Sequence, residues 1–445
     1  MEELTSAVFH APLAKTIRPR AVTAKDCWIV DHTGKRYLDA SSSGFVAILG
    51  HCNDQVTQTI SRQMERLSFA HNSHFTSDSQ EQFCKEIVNI APKGISHAML
   101  TTSGSTANEA ALKLARQYHL SRGSSNKIKV LSRRHSYHGS TLGALSLTGS
   151  QARRKPFAPY LLDAPQVSPP DLYRKTGGID DRTYVLACAQ EFEAAIEELG
   201  AENVSAIIVE PIAGAPLGAL VSPPDYLRRV RQICDTYDVL LIVDEVVSGV
   251  GRSGDWFGID ESGICPDIIT VGKGLGGGFV PIGGLLIAQR VHDVLQAANS
   301  TFLHSESFTG HPLLAATGHA VLRYIQENQT LQSVNMLGRY LEAKLATLSQ
   351  HPSIGAIRGR GLLWGVELVS DKRSKAAYSR KSQFAERVVG HAKELGVLFH
   401  SGNGAVDGQN GDTVMFAPPY IVTLKEIDHM VETFKHALTS VISTG

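Results

Sequence analysis

No excess charge of either sign marks this chain. Lysine and arginine together number 43, as do aspartate and glutamate, so nothing is left over to neutralise a phosphate backbone or to dock on an anionic membrane. Nucleic acid and membrane are therefore not expected partners. Cysteines in functional spacing are also missing. The six, Cys27, Cys52, Cys84, Cys188, Cys234 and Cys265, lie far apart, with no pair at metal-ligand or redox-motif distance. They read as reduced packing residues, and no metal site is expected. Long apolar runs are absent: Met1–His10 carries early acids and no leader-length apolar stretch, and nothing later approaches a membrane span. A cytoplasmic location is the expectation. There is no internal repeat and no low-complexity tail.

What is present is enough apolar material for more than one core. At 445 residues and 42% apolar composition, the chain predicts a large domain with a smaller one beside it. The boundaries read as an N-terminal segment, 1–65, that joins the small domain, a large domain over 66–330, and a C-terminal small domain over 331–445. WIVDHTGKRYLD (28–39) reads as a hairpin, and 78–90 as an amphipathic helix with Phe83, Ile87 and Ile90 on one face. Residues 163–182 read as a long loop, 313–348 as helical, 354–368 as a strand pair, 382–395 as a helix, His400 to Asp412 as a loop and 413–417 as a strand.

Three apolar strands each end on an ionisable residue: 205–209 before Glu210, 239–243 before Asp244, and 268–271 before Gly272 and Lys273. Continuous apolar strands alternating with helices imply a mostly parallel sheet covered on both faces, with ligands at the carboxyl ends of its strands. Glu210, Asp244 and Lys273 are then expected at one rim. A lone cation suits a buried site poorly, so Lys273, delivered into the glycines of VGKGLGGG, needs an ion partner or a chemical purpose. A neutral amine there could form a Schiff base with an aldehyde cofactor.

Upstream, Ser103-Gly104-Ser105 follows a short strand and opens a helix running through Ala110, Leu114 and Tyr118. Free N–H groups at such an end make a phosphate seat, although small polar residues in this position also serve as plain caps. His135-Ser136-Tyr137-His138-Gly139 offers an aromatic to cover a flat ring. An aldehyde, a pyridine nitrogen and a phosphate together account for these stretches, and pyridoxal phosphate has all three. Lys273 would carry the aldehyde, Asp244 the protonated ring nitrogen, and Gly104 and Ser105 the phosphate. The formal match of Gly272-x-Gly274-x-x-Gly277 to a dinucleotide fingerprint is a rival reading, but FVPIGG after it is a poor helix to receive a pyrophosphate.

On these residues the chain resembles the class-III pyridoxal-phosphate aminotransferases of fold type I. The matching stretches, in order, are YLDASSSG, SGSTANEAALKLAR, SYHGSTLGALSLTG, VEP, LLIVDEVVSGVGRSG, PDIITVGKGLGGG, SFTGHPLLAATG, RGRGLLWGVEL and FAPPYIVT. The resemblance implies an α/β fold with a large cofactor-binding domain and a smaller α+β domain from both chain ends. It also implies catalytic roles for Lys273, Asp244 and Tyr137, and cofactor contacts from Ser103, His138, Glu210 and Val246. It implies a homodimer with shared active sites, in which Ser307 of one subunit reaches the phosphate held by the other.

Two departures bear on the substrate. Ornithine-type members carry an arginine before the FAPP strand and a glutamate five positions after that of VEP; here Met415 and Ala215 stand there. Methionine cannot clamp a carboxylate. The implied reaction is thus transfer of an amino group from an amine or ω-amino donor to a keto acid or aldehyde in two half-reactions. Phe45, Phe75 and Met415 are the expected pocket walls. An aminomutase or decarboxylase on the same scaffold, and a catalytically silent binding protein, are the alternatives.

Overall fold

Strands that are apolar at every position must be covered on both faces, and here they form the centre of the molecule. The computed structural model describes residues 18–443, so the acidic start at Met1–His10 lies outside the described residues. Seven strands make one mixed sheet: β1 (Ile95–Thr101), β2 (Lys129–Arg133), β3 (Gln166–Val167), β4 (Val204–Val209), β5 (Leu240–Asp244), β6 (Ile268–Val271) and β7 (Gly283–Ala288). Their order across the sheet is β1-β7-β6-β5-β4-β2-β3. Pairing from β3 across to β6 is parallel, while β7 runs antiparallel to both β1 and β6.

Every residue of β4, β5 and β6 is buried. Because side chains alternate along a strand, the two faces have different partners. Ala206, Ile208, Leu240, Ile242 and Ile268 pack with the helix Gly104–Ser121 through Ala107, Ala111 and Leu114. Ile207, Val209, Leu241, Val243 and Ile269 join the larger core, which includes Phe192 and Val230 of the helices Asp181–Leu199 and Pro224–Thr236. Each of the valine, leucine, isoleucine and phenylalanine side chains contributes about 1.5–3 kcal/mol by leaving water, which holds the strand ends in fixed register.

Both chain ends meet in a second sheet, where Ala21–Lys25, Trp28–Asp31 and Arg36–Asp39 are joined by Val397–Leu398. Within it, the hairpin expected from WIVDHTGKRYLD pairs Trp28 with Leu38. A third, antiparallel sheet holds Ile354–Arg360, Leu363–Leu368, Asp412–Phe416 and His400–Asn403. The stretch from His400 to Asp412 is therefore not all loop: its first four residues pair against Asp412–Phe416, with His400 opposite Met415. The helical stretch 313–348 divides into Pro312–Glu327 and Thr330–Ala346, because Gln329 adopts a left-handed φ of 50°. The long loop 163–182 contains the two residues of β3, which extend the sheet edge. Among the described residues no helix is long and apolar enough to cross a membrane, no disulfide forms, and no group of three metal-ligating side chains gathers.

Candidate active site

Five strand ends converge on one cavity of about 160 Å³, lined by Ser103, Gly104, Ser105, Tyr137, His138, Glu210, Asp244, Val246 and Lys273. All three ionisable strand ends expected at the rim are there. A wider cleft of about 760 Å³, between Gln151–Asp163 and the side chains of Arg380, Asp407 and Gln409, contains none of them.

The end of β1 leads into a helix N-terminus that lines the cavity. Ser103 caps the helix Gly104–Ser121: its Oγ accepts from Thr106 N at 3.2 Å, and Thr106 Oγ1 accepts from Ser103 N at 3.1 Å. The capping reading of these residues is therefore correct, and it leaves the first-turn N–H groups of Gly104 and Ser105 without intrahelical acceptors. Glycine is required at 104 for space, since a Cβ there would lie 2.6 Å from Val246 Cγ1.

Asp244, at the end of β5, is buried and held on several sides. Its Oδ2 faces His138 Nδ1 at 2.8 Å and accepts from Asn108 Nδ2 at 2.9 Å, and its Oδ1 accepts from Val246 N at 3.0 Å. Asn108 also donates to the His138 carbonyl at 2.6 Å and accepts from Thr270 Oγ1 at 2.9 Å. Sequence reasoning missed Asn108. The signal was a polar residue among Ala107, Ala110 and Ala111 on the buried face of a helix.

Lys273 follows β6 with a φ of 43°, a left-handed conformation that costs a non-glycine residue about 1–2 kcal/mol. Desolvation lowers its pKa, opposed by the charges of Asp244 and Glu210, so the neutral amine is favoured relative to a lysine in water. The segment after it, Lys273–Gly276, is a single tight turn and not a long helix, which removes the pyrophosphate reading. Glu210, after β4, is buried and its pKa is raised by desolvation, with His138 and Arg133 acting against that shift. Its Oε1 accepts from Gly214 N at 3.2 Å, while Arg133 Nη2 lies 3.6 Å from its Oε2.

The substrate-wall residues divide. Phe45 and Met415 share an apolar cluster with Ile212, Ala215, Leu363 and Ala417, and the Phe45 ring meets His400 edge-on at 5.3 Å. Phe75 is 67% exposed and stands apart from that cluster within one chain. Ser307 is exposed and does not line the cavity.

These residues fit pyridoxal phosphate. A helix N-terminus suits its phosphate, Asp244 suits a pyridinium N–H, and Lys273 suits an aldehyde. His138 Nε2 and Glu210 Oε2 are buried in the cavity lining without a hydrogen-bond partner, Arg133 Nη2 standing 3.6 Å from Oε2, which leaves polar groups there for a ligand to satisfy.

The model of the aminotransferase class-III family matches residues 12–438. The aminotransferase YodT of Bacillus subtilis is 32% identical over 98% of both chains. The putrescine–pyruvate aminotransferase of Pseudomonas aeruginosa is 31% identical over 93% of this chain and 89% of its own. Among solved structures, an (S)-enantioselective omega-transaminase from Thermomicrobium roseum superposes with a TM-score of 0.90 at 31% identity, covering 95% of this chain and 93% of that one. A family match over nearly the whole length, on a fold that gathers lysine, aspartate and a helix N-terminus at one rim, means that this chain belongs to the pyridoxal-phosphate-dependent class-III aminotransferases.

Proposed function

We propose that the enzyme moves an amino group from an amine or ω-amino donor to a keto acid or aldehyde acceptor, with Lys273 as the proton-carrying base. The observation that carries this reading is the convergence of Lys273, Asp244 and Glu210 on one cavity. Bound pyridoxal phosphate supplies an aldehyde and a ring that accepts the electron pair of a breaking carbon–hydrogen bond.

The residues of the chain do the rest. Asp244, fixed by Asn108, His138 and Val246, holds a proton on the ring nitrogen through its carboxylate. Gly104 and Ser105 bind the phosphate by backbone N–H groups. Tyr137 and Val246 enclose the ring. Neutral Lys273 takes a proton from the donor carbon and returns it one position away, as a general acid/base. Met415, in its apolar cluster with Phe45 and Ala215, favours an uncharged donor side over a clamped carboxylate.

The reading includes a homodimer. Ser307 and Phe75, both exposed on one chain, then meet the second copy, Ser307 at its phosphate and Phe75 at its substrate wall. It also divides the chain at about 65 and 330 into a large cofactor domain and a smaller one built from both ends. The donor named for the P. aeruginosa relative, putrescine, supports an amine donor here.

The test is single-turnover chemistry. Holoenzyme mixed with a panel of amines, ω-amino acids and α-amino acids, with no acceptor present, is expected to release the aldehyde or ketone of the amine and ω-amino donors. Release from α-amino acids alone would overturn the donor assignment. Carbon dioxide or a rearranged amine as product would replace transfer with decarboxylation or mutation.

A further inference from the structure

Met415 and Ala215 leave the acceptor's carboxylate without a charged receiver, and the segment from His400 to Asp412 contains no arginine. Another cation stands at the same rim. Arg153 belongs to the short helix Gln151–Arg154, and its guanidinium carbon lies 4.9 Å from the centroid of the Tyr137 ring. Tyr137 in turn lines the cavity that holds Lys273.

The neighbouring Arg154 is committed elsewhere, since its Nη1 donates to the carbonyls of Ser146 and Thr148 at 2.8 and 3.1 Å. Arg153 differs. Among the described residues its guanidinium has no carboxylate at ion-pairing distance and no hydrogen-bond acceptor, and it lies against the Tyr137 ring. A cation–π contact holds a guanidinium over an aromatic face without consuming its N–H donors, which stay available to grip a planar anion at two points. His400, which pairs opposite Met415 and meets Phe45 edge-on, has its pKa lowered by burial, with the charges of Arg153 and Lys273 acting in the same direction.

We propose that Arg153, held over the Tyr137 ring, is the carboxylate-binding residue of the acceptor site, and that the acceptor is a small 2-oxo acid. The inference rests on the transaminase reading and adds the group that selects an acid acceptor over an aldehyde. By reversibility, the same residue holds the carboxylate of the amino acid formed.

Two measurements test it, one independent of turnover. Calorimetric titration of the holoenzyme with propionate and with propionamide compares an anion with its neutral isostere. Wild type is expected to prefer propionate by about tenfold or more, R153Q to lose that preference, and R153K to keep part of it, since an ammonium retains charge but not the fork. In turnover, the ratio of kcat/KM for pyruvate to that for butanal is expected to fall about 10- to 100-fold in R153Q. Equal binding of the two probes by wild type, or an undiminished preference in R153Q, would overturn the assignment. So would an equal loss with both acceptors, which would make Arg153 a prop for Tyr137. If wild type prefers propionate yet turns over neither acceptor, the transaminase reading fails while the anion subsite stands.

Discussion

Asn108 Nδ2 donates to the Asp244 carboxylate at 2.9 Å, tying the helix Gly104–Ser121 to the end of β5 at the cavity. The same side chain donates to the His138 carbonyl and accepts from Thr270 Oγ1. One buried amide therefore sets the relation between three parts of the site, and Asp244 has little freedom to turn away from a cofactor. Buried polar networks of this kind are specific because each missing partner leaves a desolvated group behind.

Replacing Asn108 with alanine is accordingly expected to destabilise the apoprotein by about 1–3 kcal/mol, the cost of orphaning buried hydrogen-bonding groups. Urea unfolding of the apo form measures this. Equilibrium dialysis of pyridoxal phosphate should show weaker binding in the same variant, through a less ordered Asp244.

Lys273→Ala should abolish the borohydride-trappable link between cofactor and protein, read by mass spectrometry of the reduced peptide, and should lower kcat by at least about 100-fold. Trapping at wild-type level would remove Lys273 from its role. The backbone gives a second readout. Because φ at 273 is 43°, Lys273→Gly should be more stable than Lys273→Ala by about 1 kcal/mol in urea unfolding.

Glu245 links stability to pH. Burial raises its pKa from 4.5 to about 7, despite hydrogen bonds from Ser248 Oγ and the N–H groups of Gly258 and Ile259. An acid whose folded pKa lies above its unfolded one binds the proton more tightly when folded. Its effect is therefore to lower stability as pH rises from about 4.5 to about 7, by about 3 kcal/mol at most. In Glu245→Gln this slope should flatten, as measured by unfolding at pH 5, 6, 7 and 8. An unchanged slope would assign the pH dependence to other groups.

Mixed dimers test Ser307. If it serves the second subunit, a hybrid of a Lys273→Ala chain with a Ser307→Ala chain contains one intact site and one doubly altered site. It should then show half the wild-type activity per dimer, with wild-type cofactor affinity at the active site. If Ser307 serves its own chain, each site carries one defect, and that activity is absent.

The local chemistry was legible in the sequence because it depends on order along the chain. Apolar runs that finish on Glu210, Asp244 and Lys273 specify buried parallel strands whose ends share a rim, and the Ser103-Gly104-Ser105 turn before a helix specifies an N-terminus open to an anion. Such features rest on period, burial and backbone donors, which neighbouring residues determine. The limits appeared where contacts are long-range. That His400–Asn403 is a strand depends on its partner Asp412–Phe416, and that Gln329 divides the helical stretch depends on how the two halves pack. Asn108 and Arg153 became visible only once the fold had carried Asp244 to the first and Tyr137 to the second. By itself, then, the sequence determined which ionisable groups stand at the strand ends that share one rim. Only tertiary structure decided which side chains steady those groups and which cation came to lie over Tyr137, because partnership between residues distant along the chain is settled by packing.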